Sequence, residues 1–394
     1  MIGEPTPTEN LSKQRCRVVL EKCNDYEEKK VEEAVQKGFS LLGPLGQMIK
    51  PGDRVLLKVN MLRAAKPEEA VTTHPAVLKA IIHVLQDLRA TPFIGDSPGN
   101  YLESSQRAWV MTGFQKVAQE TGVKIVAFEK SGIQERGYPV GRFLKKFHFA
   151  PPVFDCELII NLPKLKTHHL TLYTGAIKNM LGSIAGFHKT QYHVAAPKPA
   201  DFAEILVDIY SQVTPRITIM DAIMGMEGNG PSAGNPRKIG ALLFSFDGVA
   251  LDAVASSLIG YYPMEIDTTR IAAERGLGTA SWENIKRVGD PYEELLVNNF
   301  RLPKTPYRLL RSFPPFLNPV LKRLVPLAFR IYPQAVKEKC TSCAICYENC
   351  PVKAIRMNDG FPVIDYQKCV RCYCCVELCP QGAIEFQRRW LPPR

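Results

Sequence analysis

Val55-Leu56-Leu57-Lys58-Val59-Asn60, followed over 76–88 by apolar residues at 77, 78, 81, 82, 84, 85 and 88, decides the fold of most of this chain. The first stretch is a short apolar run and reads as a strand. The second repeats at helical spacing and reads as an amphipathic helix. The same order recurs downstream: strands are expected at 92–95, 124–128, 157–162, 217–221 and 241–246, and helices over 103–120, 201–213 and 249–258. Strands that alternate with helices are joined by crossovers, so an α/β fold with a mostly parallel, doubly wound sheet is expected.

Polar residues end those strands, and the carboxyl ends of parallel strands are where open sheets bind ligands. Lys58 and Asn60 end one, Asp96-Ser97 a second and Asp221 another. Asn161-Leu-Pro-Lys164-Leu-Lys166-Thr167-His168-His169 is the densest stretch, and Lys178 and Asn179 follow it. Two lysines, two histidines, an amide and a hydroxyl within nine residues suit carboxylate or phosphate oxygens. A lone Lys58 or Asp96 has a structural alternative, since a strand-end Asp often caps the next helix. Capping is likewise expected of one of Asp247 and Asp252. Glu227 lies in Glu227-Gly228-Asn229-Gly230-Pro231, either a plain turn or an acid facing a ligand. The chemistry is therefore assigned to Lys164, Lys166, His168, Lys178, Asn179 and His74, with His168 or His74 supplying a proton near neutrality. Lys58, Asn60, Asp96, Ser97, Asn161 and Glu227 are the candidate cofactor contacts. No G-x-G-x-x-G follows a strand and no G-x-x-x-x-G-K-[ST] occurs, so no NAD(P), flavin or ATP motif is present.

Nine of the twelve cysteines fall between Cys340 and Cys379. They form Cys340-x2-Cys343-x2-Cys346-x3-Cys350-Pro351 and, 29 residues later, Cys369-x2-Cys372-x2-Cys375-x3-Cys379-Pro380. Dense, regular cysteine points to thiolate metal ligands and away from a disulfide framework. Zinc sites use paired C-x2-C knuckles, a poorer match than four cysteines in a row followed by proline. The double run resembles the bacterial two-cluster ferredoxins over 335–390. In them the fourth cysteine of each run binds the other cluster. That resemblance implies two 4Fe-4S clusters, one on Cys340, Cys343, Cys346 and Cys379 and the other on Cys369, Cys372, Cys375 and Cys350. Cys374 falls outside the register and is expected to be a bystander thiol. Asn358-Asp359-Gly360 between the runs has the turn residues of a hairpin.

Three segments follow: an α/β domain over 1–300, a basic Pro/Arg-rich connector over 301–334 and a small α+β ferredoxin-like domain over 335–394. Of the net charge of +11, these carry +1, +7 and +3. A basic excess confined to a connector argues against a nucleic-acid binder. With seven prolines, the connector reads as an extended arm packed on the large domain, a docking surface for an acidic redox partner, or a patch resting on anionic lipid. No stretch is long and apolar enough to span a bilayer. The first 30 residues lack a signal's basic start and apolar core, so a cytoplasmic protein is expected.

Lys58-Val-Asn60, Thr72-Thr73-His74-Pro75, Gly95-Asp96-Ser97-Pro98, Asn161-Leu-Pro-Lys164-Leu-Lys166-Thr167-His168, Thr174-Gly-Ala-Ile-Lys178-Asn179, Met226-Glu227-Gly-Asn-Gly-Pro231 and Asp247-Gly-Val-Ala-Leu-Asp252 together resemble the domain of unknown function 362 family across roughly 17–260. The resemblance implies an α/β domain coupled to redox centres and a shared polar site. The expected function is a ferredoxin-dependent oxidoreductase passing single electrons from a soluble donor to a small anionic substrate or cofactor. An electron-transfer subunit whose α/β domain docks a partner protein is the alternative, and a redox or oxygen sensor a third.

Overall fold

The computed structural model describes residues 16–99, 105–303 and 330–389. Ten strands form the large sheet. They are β1 (Cys16–Lys22), β2 (Arg54–Lys58), β3 (Thr91–Asp96), β4 (Lys124–Ala127), β7 (Leu158–Asn161), β8 (Lys164–His168), β9 (Leu172–Thr174), β10 (Ile217–Glu227), β11 (Asn235–Ser245) and β12 (Ile285–Gly289). A separate ribbon pairs β5 (Gln134–Gly137) with β6 (Lys146–Phe149). The main order is β12-β1-β11-β10-β7-β2-β3-β4, and β10, β7, β2, β3 and β4 run parallel. β11 is antiparallel to both neighbours.

Alternation along the strands builds a core on each face. Val55 and Leu57 pack with the helices Glu28–Leu42 and Pro75–Asp87, while Leu56 between them joins the opposite core with the helices Pro199–Gln212 and Gly248–Leu258. The chain runs outward from β2 to β3 and β4, then returns to the other side of β2 as β7. The order therefore reverses between β2 and β7, where the carboxyl ends diverge into a crevice.

Three expectations change. The helix expected over 103–120 is two, Ser105–Met111 and Phe114–Thr121, broken where Gly113 adopts φ 80°. The polar stretch after Asn161, expected only as the end of a strand, forms a strand of its own, β8, which pairs with β10 and β9. The last five residues of the expected connector, Arg330 to Gln334, are strand: β13 (Arg330–Ala335) pairs with β16 (Ile384–Arg389). The remainder of the connector from 304, including Arg308, Arg311, Lys322 and Arg323, lies outside the described residues. Among those described, no helix is long and apolar enough to cross a membrane.

The small module repeats itself. β14 (Ile355–Asn358) and β15 (Phe361–Ile364) form the expected hairpin. Asp359 and Gly360 both take positive φ, as a two-residue primed turn requires. The left-handed residues Ser342, Ala344 and Lys353 recur 29 positions on as Arg371, Tyr373 and Gly382. The helices Ile345–Glu348 and Cys374–Leu378 start at the same offset.

Candidate redox site

The carboxyl ends of β2, β3 and β7 meet in register, with Lys58 beside Asn161 and Gly95. Lys58 is buried and pairs with Asp96 at 2.9 Å. Asp96 also accepts from Met61 N and Ser97 N, so it serves this pair and its own loop; it caps no helix. Lys189, beside it, donates to the carbonyls of Ser97 and Pro98, and burial lowers its pKa to about 7. A methyl on Gly182 would overlap both Asp96 Oδ1 and Lys58 Nζ, so only glycine lets this backbone close over the pair.

β8 makes the lysine cluster by simple period-two geometry. Lys164, Lys166 and His168 alternate with Leu165, which goes to the core, and Thr167, which donates to the carbonyls of Met226 and Gly228. Lys164 pairs with Asp221 at 2.8 Å and donates to Tyr26 Oη at 2.7 Å. Asp221 also accepts from Tyr26 Oη, His74 N and Ile223 N. Lys166 is different: its partners are neutral, Asn60 Oδ1 at 2.8 Å and the Val71 carbonyl at 2.7 Å. Burial, reinforced by Lys178 and Lys164, holds its pKa well below the ordinary lysine value. Asn60 donates to Asn179, which donates to Asn161, which donates to the Ala176 carbonyl; these amides lock the floor of the site.

Some candidates have structural jobs. Glu227 accepts from Arg301 N at 2.9 Å and Nε at 2.6 Å, tying its turn to the chain near 301. Asp247 caps the helix Gly248–Leu258, while Asp252 receives Ala176 N and Ile177 N at the start of the Ala176–Asn179 turn.

Neither histidine expected to supply a proton is set up to do so. His74 Nδ1 accepts from Ala76 N as a helix cap, and its ring stacks on Tyr26 at 3.5 Å. His168 Nδ1 accepts from Leu170 N and Thr171 N, which leaves its proton on Nε2. Burial pushes His168 to about 3 and His74 to about 4; His169 and His193 are each at about 4 for the same reason. All four are neutral at pH 7. Because these values lie below that of the unfolded chain, the unfolded chain takes up protons first as pH falls from 6.5 toward 4. Stability is then expected to drop through that window, by about 1.4 kcal/mol per pH unit for a fully buried group such as His168. Denaturant midpoints measured at pH 7, 6, 5 and 4 check this; a flat profile contradicts it.

The module meets this site through Glu377, on the helix that carries Cys375 and leads to Cys379. Its carboxylate lies 3.3 Å from His168 Nε2 and 3.9 Å from Lys178 Nζ. The His168 approach lacks hydrogen-bond alignment, since both atoms remain unpartnered. Burial would raise the pKa of Glu377, but the Lys178 ammonium, and His168 and His193 once protonated, outweigh it and hold the carboxyl below its ordinary range. His193 is hydrogen-bonded to the Cys372 backbone, His169 packs on Phe386 with centroids 4.8 Å apart, and Tyr373 packs against the large domain's core. Reading the strand ends alone misses Glu377, Lys189 and Tyr26. Glu377 looks like a surface residue of a cysteine motif, and the others come from distant segments.

The cysteines gather into two sets. Cys340, Cys343, Cys346 and Cys379 line one cavity. Cys369 and Cys375 lie beside Cys372 and Cys350. Among the described residues no trio of His, Cys, Asp or Glu closes on a single metal ion. The fourth cysteine of each run accepts a backbone N–H at 3.2 Å, Cys350 from Ala354 and Cys379 from Ala383, again 29 positions apart. Such N–H contacts orient cluster ligands and tune them. The donor set therefore fits 4Fe-4S chemistry. Cys374 is buried, hydrogen-bonded to Cys372 and close to Lys178, so it faces the large domain.

A 4Fe-4S dicluster domain matches residues 332–380, which makes this an iron-sulfur protein of the electron-transfer class. The chain belongs to the family described as Domain of unknown function (DUF362), whose profile matches residues 55–257. It is 33% identical over 294 residues to the thylakoid-associated protein sll1697 of Synechocystis sp., covering 73% of this chain and 88% of that protein. Among solved structures, the lactate racemase apoprotein from Thermoanaerobacterium thermosaccharolyticum is similar over 65% of this chain and 59% of its own, with 11% identity and a TM-score of 0.41.

Proposed function

We propose that this chain is an iron-sulfur oxidoreductase of the cytoplasm, in which the C-terminal module feeds single electrons to a small anionic substrate or cofactor at the ends of β2, β7 and β8. The observation that carries this reading is Glu377, seated on the cysteine-bearing helix yet buried between His168 and Lys178 of the lysine site. When bound, two 4Fe-4S clusters supply one-electron storage at low potential. Lys58, Lys164 and Lys178 already hold Asp96, Asp221 and Glu377. Lys166, which among the described residues is held by the neutral acceptors Asn60 Oδ1 and the Val71 carbonyl, is the seat for the substrate's negative charge. An incoming anion opposes the burial and like-charge effects that lower its pKa and so favours the ammonium form, which is the proton source in place of His168 or His74.

The test is anaerobic re-oxidation of the reduced, reconstituted protein by small anions such as carboxylates and phosphate esters. The Lys166→Met variant is expected to lose at least about 100-fold in that rate with cluster spectra unchanged, the scale of a lost charge and proton donor. Re-oxidation by a protein but by no small molecule overturns the proposal. It would favour the second reading, an electron-transfer subunit whose large domain docks a partner protein. What supports that alternative is the internal neutralisation of Lys58, Lys164 and Lys178.

A further inference from the structure

The two halves of the small module repeat in sequence and backbone, yet their equivalent acids are treated in opposite ways. Glu348 stands midway between Cys346 and Cys350, and Glu377, 29 positions on, midway between Cys375 and Cys379. Glu348 is exposed, so water and salt screen its charge. Glu377 is 7% exposed, because the large domain brings Lys178 Nζ to 3.9 Å and His168 Nε2 to 3.3 Å from its carboxylate. Its charge acts on Cys372 and Cys374, and Lys178 acts on Cys374 from the other domain. His168 and His193 also face Glu377, but both are neutral at pH 7 and add no charge. A buried carboxylate and a largely buried ammonium thus flank the second thiol set, where each acts several-fold more strongly than in water. At the first set the equivalent place holds Glu348, in solvent.

We infer that Glu377 and Lys178 set the reduction potential of the cluster on Cys369, Cys372, Cys375 and Cys350, Glu377 lowering it and Lys178 raising it, and so make the two clusters of one repeat unequal. The inference rests on the oxidoreductase reading and assigns two residues that govern how strongly the cluster nearer the lysine site reduces. Neither residue ligates iron in this role; both act through the cluster. On reduction the cluster gains one electron, and no bond forms or breaks. The added negative charge is opposed by the Glu377 carboxylate and favoured by the Lys178 ammonium, since net charge and burial around a cluster fix its potential. Lys178 also acts on Lys166, so one cation is felt both at the substrate seat and at the cluster. The repeat alone would give equal clusters. The large domain, which supplies Lys178 and covers Glu377, is what separates them.

The experiment uses the full chain with its clusters reconstituted anaerobically and no substrate present. Both midpoint potentials are read by redox titration at pH 8 with electron paramagnetic resonance, and iron and acid-labile sulfide are counted in every sample. Glu377→Gln is expected to favour reduction of one cluster by at least about tenfold, about 59 mV for one electron, and to leave the other within about twofold. Lys178→Met is expected to disfavour reduction of the same cluster by about tenfold. Opposite signs are the signature. Undocking of the module, the structural consequence of breaking this contact, would expose the cluster in both variants and move both potentials the same way. Glu348→Gln makes the same chemical change at the equivalent, solvated place and is expected to stay within about twofold. Shifts of one sign in Glu377→Gln and Lys178→Met overturn the inference, as do parental potentials in Glu377→Gln or an equal shift in Glu348→Gln. Lys178→Met lies outside the module, so its downward shift tests the inference by itself if Glu377→Gln loads less iron. Potentials are read without substrate, so their failure leaves the substrate reading intact; that reading fails separately, in re-oxidation.

Discussion

Replacing Cys374 and Cys375 together by alanine is expected to lower iron and acid-labile sulfide to about half, with Cys374→Ala alone keeping the full complement. Cys375 sits among Cys372, Cys369 and Cys350, whereas Cys340, Cys343, Cys346 and Cys379 line a separate cavity. If each set holds one 4Fe-4S cluster, losing one thiolate empties one set and spares the other. Cys374 is removed in the same variant because, as the adjoining thiol, it offers a replacement ligand. Unchanged iron in the double variant contradicts the ligand sets. Loss of iron from Cys374→Ala alone contradicts the bystander assignment. Electron paramagnetic resonance of the reduced samples supplies the independent readout, since two coupled centres and one isolated centre differ in line shape.

Asp221→Ala is expected to destabilise the large domain by about 3–5 kcal/mol, the cost of leaving a buried lysine without its counter-charge. Asp221 collects Lys164 Nζ, Tyr26 Oη, His74 N and Ile223 N on one carboxylate, and both it and Lys164 are buried. The alanine removes the shared acceptor of all four donors and leaves Lys164 with the neutral Tyr26 Oη in place of a counter-charge. Adding Lys164→Met removes the stranded charge with little change in volume, and the double variant is expected to recover part of the loss. A denaturation midpoint near the parent's for Asp221→Ala, or a double variant that merely sums the two losses, contradicts this account. The comparison also separates structural lysines from functional ones. Lys166, which has no carboxylate partner among the described residues, should tolerate methionine far better than Lys164 tolerates the loss of Asp221.

Much of this molecule is legible without coordinates. Val55–Asn60 and the pattern after Ala76 announce a β-α unit, because a strand buried on both faces must be apolar throughout while a helix on one face shows a stripe. The carboxyl ends of such strands are the usual binding edge, which is why Lys58, Asp96 and Asn161 could be singled out together. Lys58 does stand opposite Asn161 and Gly95, and Asp96, one residue further on, reaches it as an ion pair. The cysteine spacing was equally readable, since a ligand loop has to repeat its geometry in order to repeat its chemistry. The left-handed residues and N–H···S contacts 29 positions apart bear the repeat out at the level of the backbone.

What stayed hidden follows from the range of the interactions. Lys164 and Lys166 stand two residues apart and look alike in the chain. Asp221, 57 positions away, neutralises the first, while among the described residues Asn60 and the Val71 carbonyl are what reach the second. His168 and His74 read as acid-base groups from their ordinary pKa. Burial and a backbone N–H on Nδ1 hold both neutral. Sequence by itself determined the layered sheet, the binding edge and the ligand loops, because each is a local pattern of apolar period or cysteine spacing. Tertiary structure alone decided which lysine is paired with a carboxylate and which with neutral acceptors, which histidines lose their charge, and that Glu377 of the iron-sulfur module sits inside the large domain's site while its repeat partner Glu348 faces water. Burial and electrostatic pairing depend on what the rest of the chain brings within a few ångströms, and the spacing of residues along the sequence does not record that.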